Sequence, residues 1–191
     1  SDAFAHQTYY MGLVDENNHV NVYDGQVRVV NPEGEVAYFY GPTQIYSDDN
    51  YLYCENGWYK TIPKKFFFRK NALYKKNDRI IKGDTLFYDD SLGYGEIRSN
   101  AEILDTTKEV ILRGNYSEYT EEPERAFMTK RAHMITVDDE SDSLFLHADT
   151  LRSRMDTTGE NRIFNAYYGV KIYKSNMQGK CDSLSFTQQD S

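Results

Sequence analysis

The feature that most constrains the fold of this chain is a segment that recurs five times at intervals of about thirty residues. Each copy has a small residue followed by an acid or amide. The small residue is in turn Cys54, Gly83, Gly114, Ala148 and Cys181, at steps of 29, 31, 34 and 33 residues. Self-similarity at a nearly fixed period is typical of repeat architectures, in which each unit contacts its neighbours. The sequence therefore predicts a stack of similar units.

A second family of segments lies between these copies and alternates apolar and polar residues. Alternation at period two predicts a strand with one buried face. Each unit therefore supplies two strands, joined by turns such as 89–93 and 156–159. No stretch has a convincing helical period, so the expected fold is all-β, built from stacked two-strand repeats. The in-phase positions have the same spacing in all five copies: Ala37, Phe39, Thr43 and Ile45; Phe66, Phe68, Ala72 and Tyr74; Gly95, Ile97, Ala101 and Ile103; Ala126, Met128, Ala132 and Met134; Phe164, Ala166, Val170 and Ile172.

The apolar phase changes once inside each copy of the first family. In the fourth copy Leu146 and Ala148 share one parity, whereas Leu151 and Ser153 share the other. One extra residue turns every later side chain to the opposite face, so a bulge or corner is expected at the change. We interpret the polar residues there as corner formers and not as catalytic acids, because an active site does not need five copies. They are Glu55, Asp84, Asn115, Asp149 and Asp182.

Composition and spacing exclude several functions. The formal net charge of −8 disfavours nucleic-acid binding, which needs lysine and arginine to neutralise phosphates. No run of about 18 apolar residues predicts a membrane-spanning helix. None of the four histidines has the spacing of a metal site, and the acidic run 138–142 lacks the ligand order of a calcium loop. We therefore predict no metal and no cofactor.

Two further features concern charge and thiols. Basic residues gather between Lys60 and Lys76, which indicates either a solvated face beside strands or an electropositive rim for anionic head groups. Cys54 and Cys181 occupy the same repeat position four units apart. At about 4.8 Å for each stacked strand, they are expected to lie about 19 Å apart, too far for a disulfide.

The repeat cores Gly-Asp-Thr-Leu-Phe-Tyr at 83–88 and Ala-Asp-Thr-Leu at 148–151 resemble the LptA/OstA family of lipopolysaccharide-transport proteins. Residues 36–191 look like its Bacteroidota OstA-like branch, an impression carried also by 38–43, 53–59 and 179–184. The resemblance implies a folded-over jelly-roll, or β-taco, in the periplasm or on the periplasmic face of the outer membrane. It also implies a non-enzymatic role in carrying lipopolysaccharide, with domains of this type, or copies of the chain, stacked end to end through open sheet edges.

In that family a groove holds the acyl chains, and the resemblance assigns the groove to in-phase positions of this chain. One expected wall contains Phe66, Phe68, Ile97, Ile103, Met128, Met134, Phe164 and Ile172, and the other contains Leu86, Leu112, Leu146 and Leu151. A row of such side chains could bury acyl chains at about 0.8 kcal/mol for each CH₂. The alternative is that the two walls pack on each other as a dry core. The chain would then be a structural scaffold that assembles through its sheet edges without a lipid ligand.

The two ends of the chain stand apart from the repeat. Residues 1–34 are expected to form a capping or fused β-extension to a repeat domain at 35–191. Within them, residues 9–34 are similar to a segment of nickel–iron hydrogenase large subunits but have no cysteine to bind metal. Their turns are predicted at 15–18, 24–25 and 31–34. The last copy lacks its returning strand, so we expect the domain to continue past Ser191.

Overall fold

A computed structural model of the chain describes residues 12–14, 20–30, 36–47, 50–107, 109–137 and 142–189. Within these ranges there are thirteen strands and one short 3-10 turn. The strands are β1 (Gly12–Val14), β2 (Val20–Val30), β3 (Val36–Ser47), β4 (Asn50–Cys54), β5 (Asn56–Lys60), β6 (Lys65–Lys76), β7 (Arg79–Asp89), β8 (Tyr94–Asp105), β9 (Val110–Thr120), β10 (Arg125–Val137), β11 (Ser143–Met155), β12 (Asn161–Lys174) and β13 (Met177–Gln189).

All strands belong to one antiparallel sheet in which sequence neighbours are also hydrogen-bonded neighbours. The short strands β4 and β5 together take one place in the order, between β3 and β6. From β6 onwards the strands are 11 to 14 residues long. This arrangement confirms the predicted all-β fold of stacked two-strand units, and it is consistent with a jelly-roll-like architecture.

The long strands bend in the middle, so the sheet folds over on itself. The rings of Phe66 and Tyr74, both on β6, lie 6.0 Å apart between centroids. Eight residues of straight strand would separate them by about 26 Å. The bend is built from two consecutive residues with left-handed φ angles in each even-numbered strand from β6. They are Lys70 and Asn71, Ser99 and Asn100, Lys130 and Arg131, and Tyr168 and Gly169.

Two predicted turns are confirmed. Residues 90–92 form the 3-10 turn that joins β7 to β8, and Gly93 ends it with a left-handed φ of 53°. At the other turn, the Asp156 carboxylate accepts backbone hydrogen bonds from Thr158, Gly159 and Glu160. Aspartate is favoured in such turns because its side chain replaces a backbone acceptor.

The turn predicted at 24–25 is wrong, because β2 runs straight through Asp24 and Gly25. The register between β2 and β3 shifts between Gly25 and Val27, so Gly25 borders a bulge inside a strand. Gly25 has a φ of 147°, and a Cβ at this position would lie 2.5 Å from the carbonyl oxygen of Pro42. The turns predicted at 15–18 and 31–34 lie outside the described residues.

The core runs through the folded sheet and becomes less enclosed towards β13. At the β2–β6 end Tyr23, Phe39 and Phe68 are fully buried. Their rings contact each other in sequence, with centroid distances of 5.6 and 5.9 Å. At the other end Leu184 and Phe186 on β13 are only partly buried against the core. The N-terminal strands therefore close one end of the interior, and β2 contributes directly to that closure.

Candidate functional site

The interior is lined by two walls, and cross-strand register defines them. Phe68 is opposite Leu86 and Leu86 is opposite Ile97, all on one side of the corner. Ile103 is opposite Leu112 on the other side. We call these halves wall 1 and wall 2. Wall 1 contains Phe66, Phe68, Leu86, Ile97, Met128, Leu151 and Phe164, and wall 2 contains Tyr74, Ile81, Ile103, Leu112, Met134, Leu146 and Ile172.

The expected division of these residues between the walls is wrong. Ile103, Met134 and Ile172 were assigned with Phe68 but lie in wall 2. Leu86 and Leu151 were assigned to the wall that faces Phe68, but they lie with Phe68 in wall 1. The prediction gave each strand family its own wall. In the structure the two strands of a unit are neighbours in one sheet, and every long strand crosses the corner into both walls.

A small cavity of about 40 Å³ lies between the walls in the β8–β13 region. A water molecule occupies about 30 Å³ of liquid, so this space is larger than one water and much smaller than an acyl chain. Met134 and Leu146 of wall 2 face Met128 and Leu151 of wall 1 across it. Most of the surface that lines it is apolar, although Ser117, Arg152, Ser153 and Asn165 also border it, so the space is suited mainly to hydrocarbon.

Seven of the twelve predicted groove residues line this cavity: Ile103, Leu112, Met128, Met134, Leu146, Leu151 and Phe164. Phe66, Phe68, Leu86 and Ile97 are buried in closed packing nearer the N-terminal end, and Ile172 is partly buried against the core. The prediction missed seven other lining residues: Ser117, Ala126, Phe127, Arg152, Ser153, Asn165 and Phe186. Ser117, Ala126, Ser153 and Phe186 are inward positions of the repeat, so the pattern could have identified them if small residues, polar residues and the last copy had been included. Phe127, Arg152 and Asn165 are cross-strand neighbours at outward positions, which strand phase does not identify.

Register shifts confirm the predicted corner, and two of the five polar residues assigned to it accept hydrogen bonds from side chains of the neighbouring strand. Register shifts occur between residues 69 and 72 of β6 and between 82 and 85 of β7. Asp84 accepts hydrogen bonds of 3.1 and 3.0 Å from the side-chain amide of Asn100. Glu55 accepts one of 2.6 Å from the amide of Asn71. These polar groups are exposed along the outside of the corner, where they fix the bend without entering the cavity.

At Gly83 and Gly114 the small residue of the repeat lies inside the corner, where space is limited. A Cβ on Gly83 would lie 2.3 Å from Cγ2 of Ile97, and a Cβ on Gly114 would lie 2.6 Å from Cγ of Met128. In the next unit the small position is Ala148, and Ala166 takes the place of Ile97 and Met128 in the repeat. In these three units the small residue is glycine where the next even-numbered strand offers a large side chain and alanine where it offers a small one.

His133 and His147 pair on the outer face of wall 2, a contact that sequence reasoning missed. They are directly opposite on β10 and β11, and Nδ1 of His147 lies 3.1 Å from Nε2 of His133. Burial lowers the pKa of His147, and the nearby His133, Lys171 and Arg131 lower it further. Both histidines are at outward positions, as the strand phase predicted.

The basic residues between Lys60 and Lys76 do not form one rim. Lys65 lies at the start of β6, where its Nζ is 2.6 Å from the buried carboxylate of Asp89. Arg69 lies near the corner over the ring of Phe67, at 4.8 Å. Lys75 and Lys76 are at the far end of the same strand. Since β6 spans both walls, these charges are distributed along it.

The outer face of wall 1 carries hydrogen bonds among charged and polar side chains of β8 and β9. Arg98 donates hydrogen bonds of 2.6 and 3.0 Å to the carboxylate of Glu96. This pairing lowers the pKa of Glu96. Burial and a hydrogen bond to Glu118 raise the pKa of Tyr116, so its hydroxyl stays protonated.

Cys54 and Cys181 are both free thiols. They lie eight strand positions apart in the sheet order, about 38 Å along the sheet, so the expected 19 Å is wrong. The error arose because each unit contributes two neighbouring strands to the same sheet. Among the described residues, no three histidine, cysteine or acidic side chains cluster as a metal site. The same ranges contain no helix long and apolar enough to cross a membrane.

The fold and its interior define an all-β protein with one folded antiparallel sheet around an apolar core. Comparison of the chain with models of protein families and with curated proteins finds no match.

Proposed function

We propose that this chain is a lipid-binding transport module that holds the acyl chains of lipopolysaccharide between its two walls. The apolar cavity shared by both walls in the β8–β13 region carries the proposal. The resemblance to the LptA/OstA family supplies the ligand class and the setting. In that setting the module forms part of a periplasmic bridge to the outer membrane, and it carries lipid without catalysis.

The half-open end of the interior supports an entry route for acyl chains. Phe164 and Phe186 stack with ring centroids 5.0 Å apart on the last two strands, and both line the cavity. Phe186 is only partly buried, so the apolar interior reaches the surface near β13. An acyl chain that enters there meets apolar groups continuously, and each buried CH₂ contributes about 0.8 kcal/mol.

Binding requires the walls to separate, because a cavity of about 40 Å³ cannot hold an acyl chain. Met128 and Met134 face each other across the cavity, one from each wall. Methionine has three rotatable bonds and adapts to irregular ligands, so these side chains can yield as a chain enters. The channel is therefore proposed to open on loading and to close when empty.

A second candidate is the scaffold that assembles through its sheet edges, and the closed packing of the N-terminal half favours it. Tyr23, Phe39, Ile45, Leu52 and Phe68 are all essentially inaccessible. Packing of this density contains no room for a ligand and gives rigidity instead. The two candidates differ in the C-terminal half, where one predicts a loaded channel and the other predicts a dry core.

Native mass spectrometry with added lipopolysaccharide separates them. Phe164→Asp places a carboxylate beside the cavity and should abolish a saturable lipid adduct. Ile163→Asp is the matched control, since Ile163 is the adjacent residue on β12 and points to the outer face. We expect it to bind lipid like the unmodified chain.

A circular dichroism spectrum should first establish that both variants keep the β-sheet. An adduct that Phe164→Asp loses and Ile163→Asp keeps supports the channel. No adduct with the unmodified chain, or equal loss in both variants, contradicts the lipid proposal. The scaffold is then the better account.

A further inference from the structure

The outer face of wall 2 carries a continuous row of six apolar side chains, of which four are half-buried and two are exposed. One residue from each of six successive strands contributes, and each is directly opposite the next in register. The row is Ile80, Leu104, Ile111, Ile135, Phe145 and Tyr173. Phe145 and Tyr173 are 44% and 57% exposed. The outer face of a sheet in water normally carries polar residues, so a row of this length indicates an interaction surface.

A row of basic residues runs parallel to the apolar row, two residues nearer the corner. It crosses the sheet in the same register and contains Lys82, Arg113, His133, His147, Lys171 and Lys180. One acid interrupts it, since Glu102 pairs with Lys82 at 3.1 Å and with Arg113 at 2.8 Å. The row therefore has a net positive charge.

The other side of the apolar row, at the turns, is acidic or neutral. Asp78 and Glu109 are exposed there, two residues before Ile80 and Ile111. Asp78 lies just before β7, which continues with Ile80 and Lys82, and Glu109 lies just before β9, which continues with Ile111 and Arg113. The apolar row is therefore flanked on one side by the basic row and on the other by a stripe whose acids are Asp78 and Glu109, with Thr106, Val137 and Ser143 as neutral members. We call it the acidic stripe.

The geometry points to a second copy of this chain as the occupant of that face. A two-fold axis parallel to the apolar row places one apolar row on the other. It also places the acidic stripe of each copy over the basic stripe of its partner, so Glu109 faces Arg113 across the interface. A two-fold interface must be complementary to itself, and this striping satisfies that condition. An axis along the strands would instead oppose the two basic rows.

The size of the face fits such an interface. Seven strands at about 4.8 Å, with three outward residues two positions apart on each strand, give about 34 by 20 Å, or roughly 680 Å². Stable interfaces bury about 800 Å² from each partner. Two sheets packed face to face lie about 10 Å apart, which leaves room for interdigitated Ile and Phe side chains. This contact uses the sheet face and is independent of the sheet edges and of any ligand in the channel.

An anionic membrane surface fits the face less well. The basic row would attract anionic head groups, but Asp78 and Glu109 would be brought against the same layer and repelled by it. In a dimer, by contrast, the acidic stripe of each copy faces the basic row of its partner, so both contacts are attractive.

Sedimentation of the purified chain tests the dimer. We expect the unmodified chain to dimerise and Ile135→Asp to weaken the dimer about a hundredfold or more, since the change occurs twice in a two-fold interface. Ile163→Asp is the control, because it makes the same substitution on the outer face of wall 1. Glu109→Arg should weaken the dimer, and adding Arg113→Glu to it should restore association by reversing the charges of that pair.

Three results would overturn the proposal. The first is an unmodified chain that stays monomeric at its highest soluble concentration. The second is a dimer that Ile135→Asp and the charge variants leave unchanged, which would assign association to another surface. The third is a monomer that floats with phosphatidylglycerol vesicles and loses this binding in Ile135→Asp, which would assign the face to a membrane. Circular dichroism of each variant distinguishes loss of the interface from loss of the fold.

Discussion

Gly83 lies inside the corner of β7, where the position of a methyl group can be worked out from its neighbours. A Cβ there would lie 2.3 Å from Cγ2 of Ile97 and 3.3 Å from the carbonyl oxygen of Ser99. Carbon atoms normally approach to about 3.5–4.0 Å. Ile97 is buried and β-branched, so it cannot turn its methyl group away at low cost. Gly83→Ala must therefore move the side chain or the corner.

Overpacking of this kind costs about 1–3 kcal/mol, and the loss of glycine freedom in the unfolded chain returns about 0.4–1 kcal/mol. We expect Gly83→Ala to reduce the free energy of unfolding by about 1–2 kcal/mol. Ile97→Ala alone should cost about 2–5 kcal/mol through the cavity that it leaves. In the double variant the new methyl group enters that cavity. The double variant should then be no less stable than Ile97→Ala. Its two alanines reproduce the combination of Ala148 and Ala166 in a later unit.

Urea unfolding followed by fluorescence of Trp58, the single tryptophan, measures these differences. Gly95→Ala is the control, since a Cβ there meets its nearest atom at 3.6 Å, an ordinary contact. We expect the control to stay within about 0.5 kcal/mol of the unmodified chain. A Gly83→Ala variant that also stays within that range would show that the methyl group does not clash with Ile97. Simple addition of the effects of the two substitutions would show the same.

Three other predictions concern ionisable groups. The lowered pKa of His147 means that the folded state favours the neutral ring. The free energy of unfolding should therefore be highest above pH about 6.5 and should decline as the pH falls below that value. An NMR titration of His147 and the pH dependence of unfolding for His147→Gln check this prediction. Hydrogen bonds from Lys65 and then Ser91 lower the pKa of Asp89, so its contribution should be lost only as the pH falls below about 3.9 towards the folded value. Asp89→Asn should cost about 1–3 kcal/mol at neutral pH and remove that acid-side loss, as urea unfolding at several pH values would reveal. Burial raises the pKa of Cys54 to about 12, whereas Cys181 is exposed. Iodoacetamide should therefore label the native chain once, at Cys181. Peptide mapping that found Cys54 labelled at a similar rate would contradict the burial of its thiol.

The pattern of residues was sufficient to predict the strands and the corner. Alternation at period two requires a strand with one buried face, whatever lies opposite. The change of phase at Asp84 and Asn115 requires an extra residue at the same place, so the corner was visible before its partners were known. The turns at Asp156 and Gly93 could also be predicted, because the side-chain acceptor of aspartate and the left-handed φ of glycine act within the turn itself. The bulge at Gly25 was mistaken for a turn because glycine serves both purposes.

Only the tertiary structure decided which residues face each other. Phe68 and Leu86 belong to different segment families, yet they are neighbours in wall 1, because the two strands of a unit pair within one sheet. Ile103 shares a strand with Ile97 but lies in the other wall, because the strand bends between them. The parity of a residue in the sequence predicts whether its side chain points inward or outward. It does not predict in which of the two walls that side chain lies. The cavity between Met128 and Met134 and the apolar row through Ile111 and Ile135 depend on pairing between distant residues, so they emerge only when the sheet is assembled.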